Sequence, residues 1–351
     1  LLTDKNIVVT GGTGSLGKVL VRRLLTGELG RPKKITVFSR DEAKQHEMRL
    51  SYQHRRTATD EVIYHNFEQL LQFRIGDVRD IHSVSTVLRD ADVVFNAAAL
   101  KQVPSCEYFP FEAVQTNIMG AENIVRAIRE HHLPVETAVG VSTDKACKPV
   151  NVMGMTKALQ ERIFVRANLD HSSTRFICVR YGNVLASRGS VIPLFHEQIK
   201  RGGPVTITTP EMTRFLLSLE QAVDTIFAAL QEGSAGETYI PRVPSARVTD
   251  IAEALIADRP VETKITGIRP GEKVHEILVS EEEAHRTIAR GNYYAILPML
   301  PELVTTKVEA TLKSEYSSND ILMTKRELTE LLKKHHLMVE DRLVYSEDVL
   351  A

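Results

Sequence analysis

Residues 142–157 read STDKACKPVNVMGMTK. Thr143, Asp144 and Lys145 put a hydroxyl, a carboxyl and an amine on three successive residues at a strand-like end, and a second amine, Lys157, follows on a helix-like segment. An acid and a base side by side suit a reaction that removes one proton while delivering another. With about 3.6 residues per turn, the residue four before Lys157 shares its helix face. That residue is Met153, and a thioether neither holds nor passes a proton. The neighbouring groups able to move protons are those of Thr143, Asp144 and Lys145. Burial would keep Asp144 protonated, and burial together with the charge of Lys157 would favour the neutral amine of Lys145. The bland alternative is a surface ion pair.

The elements that must position this set are short. NIVVT (6–10), KITVFS (34–39), LQFRIGDV (71–78), DVVFNAA (92–98), VETAVGVS (135–142) and TRFICVRYG (174–182) are β-branched-rich runs, with helix-like segments between most of them. Residues 111–132 read as one helix, with Val114, Ile118, Ala121, Val125 and Ile128 on its apolar face. Alternating strands and helices with apolar strands imply a parallel sheet covered on both faces. Glycine and proline punctuation increases after about residue 185, as in a smaller, irregular second lobe. The expected division is 1–185 as a dinucleotide domain, 186–300 as a substrate lobe with some segments returning to the first domain, and 301–351 as an appendage. Thr324 and Glu327 fit a capping box for a terminal helix. Residues 49–71 form a long polar link, read as a surface excursion with some helix.

VVTGGTGSLGKVL joins the first strand to the first helix. Gly11, Gly12, Gly14 and Gly17, with Thr13, Ser15 and Leu16 between them, permit a tight turn and close approach to a pyrophosphate at the helix N-terminus. The second strand ends in Ser39 and Arg40, with Lys44 a turn later. A hydroxyl and two cations suit a 2′-phosphate, so NADP is favoured; Asp41 keeps NAD possible. Asp77 and Val78 lie where an adenine edge is expected, and Ala97, Ala98 and Ala99 line the channel after the fourth strand.

The bulk numbers exclude several classes. The chain has 351 residues, 43% hydrophobic and 25% charged, with net charge −1. No field favours nucleic acid or an anionic membrane. The longest apolar runs fall short of the ~20 residues a span needs. Cys106, Cys147 and Cys178 have no metal or CxxC spacing, which suits a reducing compartment without zinc or disulfides. No signal peptide is expected, and the location expected is cytoplasmic. His131 and His132 read as a helix C-terminus, His275 as structural and Cys147 as a small buried residue.

The combination of TGGTGSLG, FSRDEAKQ, GDVRD, NAAALKQVPSCEYFPFEAVQTNIMGAENI and STDKACKPVNVMGMTK resembles the extended short-chain dehydrogenase/reductases. More narrowly, it resembles the nucleotide-sugar 4,6-dehydratases acting on UDP-N-acetylglucosamine, in the polysaccharide-biosynthesis group. The likeness continues through RYGNVLASRGSVIPLF, TITTPEMTRFLLS, IRPGEKVHE and EYSSND, with 49–71 the main departure. Longer relatives carry membrane spans ahead of this module; none is expected here. The resemblance implies a Rossmann-type doubly wound parallel sheet with a smaller C-terminal substrate-binding lobe. It implies NADP, a UDP-sugar and a homo-oligomer. It makes Asp144 the general acid at O6 and Lys145 the base at C5, with Thr143 orienting the sugar and Lys157 on the nicotinamide ribose. Either Lys145, or Asp144 through a water, takes the O4 proton. Lys101 meets cofactor and sugar, and Asn117 ties the fourth helix to the catalytic strand and adjoins the cofactor. Asn183, Ser190 and Val191, in and before the loop 186–191, approach the diphosphate and nucleoside. Thr206 lies near the uracil, Arg269 with Glu272 closes the far side, and Tyr316 either folds back onto substrate or packs. Inversion at C5 is favoured over retention. The rivals are a UDP-hexose 4-epimerase, against which Met153 counts, and an NADP-sensing regulator, against which Lys145 and Lys157 count.

Overall fold

The first six strands are β1 (Asn6–Thr10), β2 (Lys34–Ser39), β3 (Leu71–Ile75), β4 (Val93–Asn96), β5 (Thr137–Thr143) and β6 (Arg175–Tyr181). They alternate with α1 (Ser15–Thr26), α2 (Glu42–Gln53), α3 (Ile81–Leu88), α4 (Gly120–Glu130) and α5 (Val152–Asp170). This computed structural model describes residues 1–53, 67–170, 173–185, 190–304 and 309–341. Most of the 49–71 link (54–66) therefore lies outside the described residues; at its margins Tyr52 stacks on Phe67. Among the described residues no helix is long and apolar enough to cross a membrane.

The later strands are β7 (Val205–Ile207), β8 (Thr213–Phe215), β9 (Thr238–Pro241), β10 (Ser245–Arg247), β11 (Thr263–Ile265), β12 (Ile277–Val279), β13 (Thr287–Arg290), β14 (Tyr293–Ile296) and β15 (Tyr316–Ser317). One nine-stranded sheet runs β13-β14-β9-β6-β5-β4-β1-β2-β3. Pairing is parallel from β3 through to β9, and antiparallel where β14 and β13 extend the edge. Alternating side chains of the central strands feed two cores. Ile7, Val9, Phe95 and Val139 pack with Val19, Leu20 and Leu24 of α1, whereas Val8, Val94 and Ala138 pack with α3, α4 and α5 through Leu88, Ile124 and Phe164. Chain order reverses between β1 and β4, which opens a crevice at the carboxyl ends of the strands.

The single helix expected over 111–132 is broken. Residues Pro110–Ala113 are α-helical, Val114–Met119 form a π-helical stretch, and α4 follows. The wider turn shifts the buried stripe: Ala113, Thr116, Asn117 and Gly120 face inward, and Val114 and Ile118 are only half-buried. From Ala121 onward the expected face is correct.

The second lobe has its own core. Ile192, Phe195 and Ile199 of α6 (Val191–Lys200) meet Ile251 and Leu255 of α8 (Val248–Ile256), while α7 (Leu219–Glu232) packs under the main sheet. Leu328 and Leu332 of α9 (Lys325–Lys334) are fully buried in the same lobe core, and β15 pairs with β12. The described part of the tail is therefore built into the lobe rather than appended to it. The Thr324–Glu327 capping box forms as expected.

Candidate active site

A cleft of about 850 Å³ lies over the carboxyl ends of the strands, between sheet and lobe. Its cofactor half begins at α1. Gly14 is the N-cap and supplies no side-chain cap, so the helix's first N–H groups face the cleft. Gly11 has φ 66°, and a Cβ there would sit 2.7 Å from the Ala98 nitrogen. A Cβ on Gly17 would sit 2.5 Å from the Gly11 oxygen. These contacts force glycine and bring the turn close to the loop after β4. An uncapped helix start bared by glycine suits a phosphate, so these residues fit a dinucleotide. At the far end Thr13 donates to Ser39 across 3.3 Å. Arg40 lies 3.7 Å from the half-buried Asp77 carboxyl and Lys44 lies 3.5 Å from the exposed Asp41 carboxyl. Burial raises Asp77, but hydrogen bonds from Arg79 and the charge of Arg40 outweigh it and hold the carboxyl below its usual range.

The middle of the cleft is built where β5 stops and turns through Asp144–Ala146. Asp144 is fully buried. Its Oδ1 accepts from the Thr143 hydroxyl at 2.9 Å and from Lys145 Nζ at 3.1 Å; its Oδ2 has no partner. Lys145 Nζ also donates to Asn183 Oδ1 at 3.3 Å and pairs with Glu276 Oε1 at 3.2 Å. Glu276 is 3% exposed, and its Oε2 is likewise without a partner. Burial raises Asp144, with the Glu276 charge adding to the effect, against the pull of Lys145. Burial lowers Lys145, but Asp144 and Glu276 together reverse this and hold it charged. Here the sequence expectation needs correction: Lys145 does not rest as a free amine. Glu276, brought in from the second lobe, is the reason.

Lys157 is buried on α5 and donates to Gln160 Oε1, while Gln160 holds the Val141 carbonyl at 3.2 Å. Burial pushes Lys157 down to about 8. Met153 lines the cleft one turn earlier and packs on Cys106 and Ala113. Among the described residues one tyrosine lines the cleft, Tyr181 at the end of β6, paired in register with Thr143. Burial alone acts on its phenol and raises it, so Tyr181 lacks the cationic activation an acid/base tyrosine needs.

The far half of the cleft comes mainly from the lobe. Asn183, Ser190, Val191, Thr206, Arg269 and Glu272 all line the cleft, as does Lys101. Residues 186–189 of the expected loop lie outside the described residues. Ser190 Oγ and Glu272 Oε2 are buried without partners. Thr206 is fixed by Gln198, which donates to its hydroxyl at 2.7 Å and accepts from its N–H at 3.0 Å. Arg214 was not singled out from the sequence. It is buried at the cleft wall, spends Nη1 on the Thr213 and Val274 carbonyls, and offers a cation beside Glu276.

Two expected site residues lie elsewhere. Tyr316 packs between Phe215 and Tyr294, and its hydroxyl bridges the Val243 backbone, so it packs and does not face the cleft. Asn117 is buried in the π-helical stretch, where it clamps Leu100 N–H and C=O and donates to Thr156 on α5. It ties the loop after β4 to α5 rather than to β5, and touches the cleft only through them. Gly12 lies behind the turn, where a Cβ would meet Val37 at 3.0 Å, and the remaining expected site residues line the cleft. Cys147 is buried with its thiol pushed up to about 12, mainly by burial, and His275 shares a hydrogen bond with Thr213. His131 is the C-cap of α4.

The sequence profile described as "Polysaccharide biosynthesis protein" matches residues 7–298. The chain belongs to that family. Within the family it is 43% identical to a protein of Campylobacter jejuni named UDP-N-acetylglucosamine 4,6-dehydratase (inverting), over 86% of this chain and 85% of that one. It is 42% identical to a protein of Rickettsia bellii named UDP-glucose 4-epimerase, over 84% of each. Among solved structures, Pen from Bacillus thuringiensis superposes with a TM-score of 0.83 at 32% identity, covering 96% of this chain and 99% of that one.

Proposed function

We propose that this member of the family is a UDP-N-acetylglucosamine 4,6-dehydratase, a hydro-lyase that holds NADP and inverts C5. The observation that carries the reading is Asp144, sealed from solvent with Oδ2 unpartnered, against Lys145 in the same cleft as the glycine-bared helix start. A dinucleotide bound there supplies the two-electron oxidation at C4 of the sugar and returns the electrons at C6. The chain's own residues do the rest. Lys157 sits where it can hold the nicotinamide ribose. Thr143 fixes Asp144 and orients the hexose. Asp144 holds the proton that O6 needs to leave as water, and the Lys145 nitrogen serves C5. Arg214, Ser190 and Arg269 supply donors for a diphosphate. Lysine-based proton transfer beside a Met153 that cannot titrate supports elimination over epimerisation, which needs one group to serve O4 in both directions. Both chemistries occur among the names of the relatives.

NADP rests on Ser39, Arg40 and Lys44. The Lys44–Asp41 pair is exposed, and pairs of that kind contribute only about 0–1 kcal/mol, so Lys44 can turn to a 2′-phosphate at little cost; Arg40 can turn as well because the half-buried Asp77 keeps Arg79 at 2.8 Å. Purified protein incubated with UDP-N-acetylglucosamine should yield a product lighter by one water. In deuterated water the C5 signal should vanish from the proton spectrum and the product should have the L configuration. An isomer of unchanged mass would sink the dehydratase reading in favour of the epimerase.

A further inference from the structure

The Lys145 ammonium has three N–H groups and three oxygens around it: it donates to Asp144 Oδ1 at 3.1 Å and to Asn183 Oδ1 at 3.3 Å, and it pairs with Glu276 Oε1 at 3.2 Å. A lysine so saturated has no lone pair to offer a sugar. One acceptor must take a proton before the amine can act. Asn183 cannot accept one. Asp144 is committed to delivering its own. Glu276 remains, 3% exposed, with Oε2 unpartnered at the cleft wall.

We propose that Glu276, delivered from the second lobe, is a positioning residue that stores the spare proton of Lys145 and so sets the order in which Lys145 and Asp144 act. This rests on the dehydratase reading above. Lys145 Nζ passes one proton to Glu276, leaving an amine and a carboxylic acid. The amine takes the proton from C5 of the 4-keto sugar. The C5–H electron pair becomes the C5–C6 double bond, the C6–O6 bond breaks, and Asp144 gives O6 its proton so that water leaves. Before the step the three side chains are neutral acid, cation and anion; after it they are anion, cation and neutral acid. Net charge is zero at both ends, which a water-poor cleft favours.

The charged groups facing Glu276 are Lys145 and Asp144 from the end of β5, Arg214 from β8 and Lys273 from its own loop. Backbone contacts anchor the carboxylate: Glu276 N–H donates to Ser318 Oγ at 3.0 Å, and the Glu276 carbonyl accepts from Ser318 N–H at 2.8 Å.

Glu276→Gln keeps the shape and removes the charge and the proton store. Turnover should fall on the order of 10²-fold or more while KM moves only a few-fold. Without the anion, Asp144 ionises more readily and Lys145 loses its proton more readily, so both limbs of the pH–rate profile should shift to lower pH. The Lys145 titration, read from the pH dependence of its acylation by peptide mass spectrometry, should fall by about one unit or more. Glu276→Asp should recover part of the turnover with a near wild-type pH profile. Wild-type kcat and pH profile in Glu276→Gln, or an unmoved Lys145 titration, would overturn the proposal. If Glu276→Gln does not fold, as judged by thermal melting, Glu276→Asp decides: a profile displaced like that of a charge-free site overturns it. Failure of the dehydratase reading is seen separately, in the mass of the wild-type product.

Discussion

The meaning of a lysine in this cleft depends on its neighbours. Lys145 and Lys157 are both at least three-quarters buried, yet carboxylates hold one charged while burial drives the other down to about 8. For Lys157 this has a consequence in stability. Between about 8 and its ordinary 10.5 the unfolded chain binds more protons than the folded one, so stability rises with pH across that window. Below about 8 the buried ammonium costs about 3 kcal/mol. Lys157→Met abolishes the titration. In urea melts without cofactor, the wild type should therefore gain about 3 kcal/mol relative to Lys157→Met from about pH 8 to 10.5. A constant difference would show that Lys157 titrates as if exposed. The types and spacing of Thr143, Asp144, Lys145 and Lys157 were legible in the sequence because they are local. The resting charge of Lys145 was not, because it depends on Glu276, at the end of IRPGEKVHE in another lobe.

At the scale of elements, local signals carried far. β1 and β2 fall on the runs read from the sequence, and the capping box of α9 forms, because alternation and capping are contacts within one segment. The π-helical stretch 114–119 was hidden, since hydrophobic period assumes a uniform turn and the extra residue is stabilised by Asn117 clamping a distant loop. The strands of three residues in the second lobe were equally hidden, being too short to show a period. One helix contact holds the turn that carries Asp144 and Lys145. Gly154, in the first turn of α5, packs directly on the turn bearing Asp144 and Lys145, and a Cβ there would lie 2.1 Å from the Lys145 carbonyl oxygen. That neighbour is backbone and cannot rotate away. Gly154→Ala should cost about 1–3 kcal/mol in urea melts and lower kcat on the order of 10²-fold by displacing the pair. Met155→Ala, one residue on and half-exposed, should change stability by less than about 0.5 kcal/mol. Equal effects of the two would remove Gly154 from the account.

At the scale of the molecule, β5 and the segment carrying Glu276 are held together by a buried charge cluster that no stretch of sequence announces. Arg180 of β6 donates to Glu161 of α5 at 2.6 and 3.0 Å, to Glu283 at 2.8 and 3.0 Å, and to the Leu278 carbonyl at 2.8 Å. Ser142, next to Thr143, donates to the same Glu161. Burial raises Glu283, but Arg180 outweighs it and holds the carboxyl at about 2, against an ordinary 4.5. The pair thus contributes stability that is fully present above about pH 4.5 and lost as pH falls through about 2, worth about 3 kcal/mol. Arg180→Met strips Glu161 of its arginine and leaves Glu283 only the longer contact with Arg286 at 3.8 Å, which should cost about 3–5 kcal/mol at neutral pH. In that variant acid should help, because protonation neutralises the buried Glu283 carboxyl, whereas in the wild type acid strips a paired carboxylate. The two stability–pH curves should therefore converge between pH 7 and 3. Curves that stay parallel over that range would mean that the cluster does not join β5, β6 and the Glu276 segment through charge.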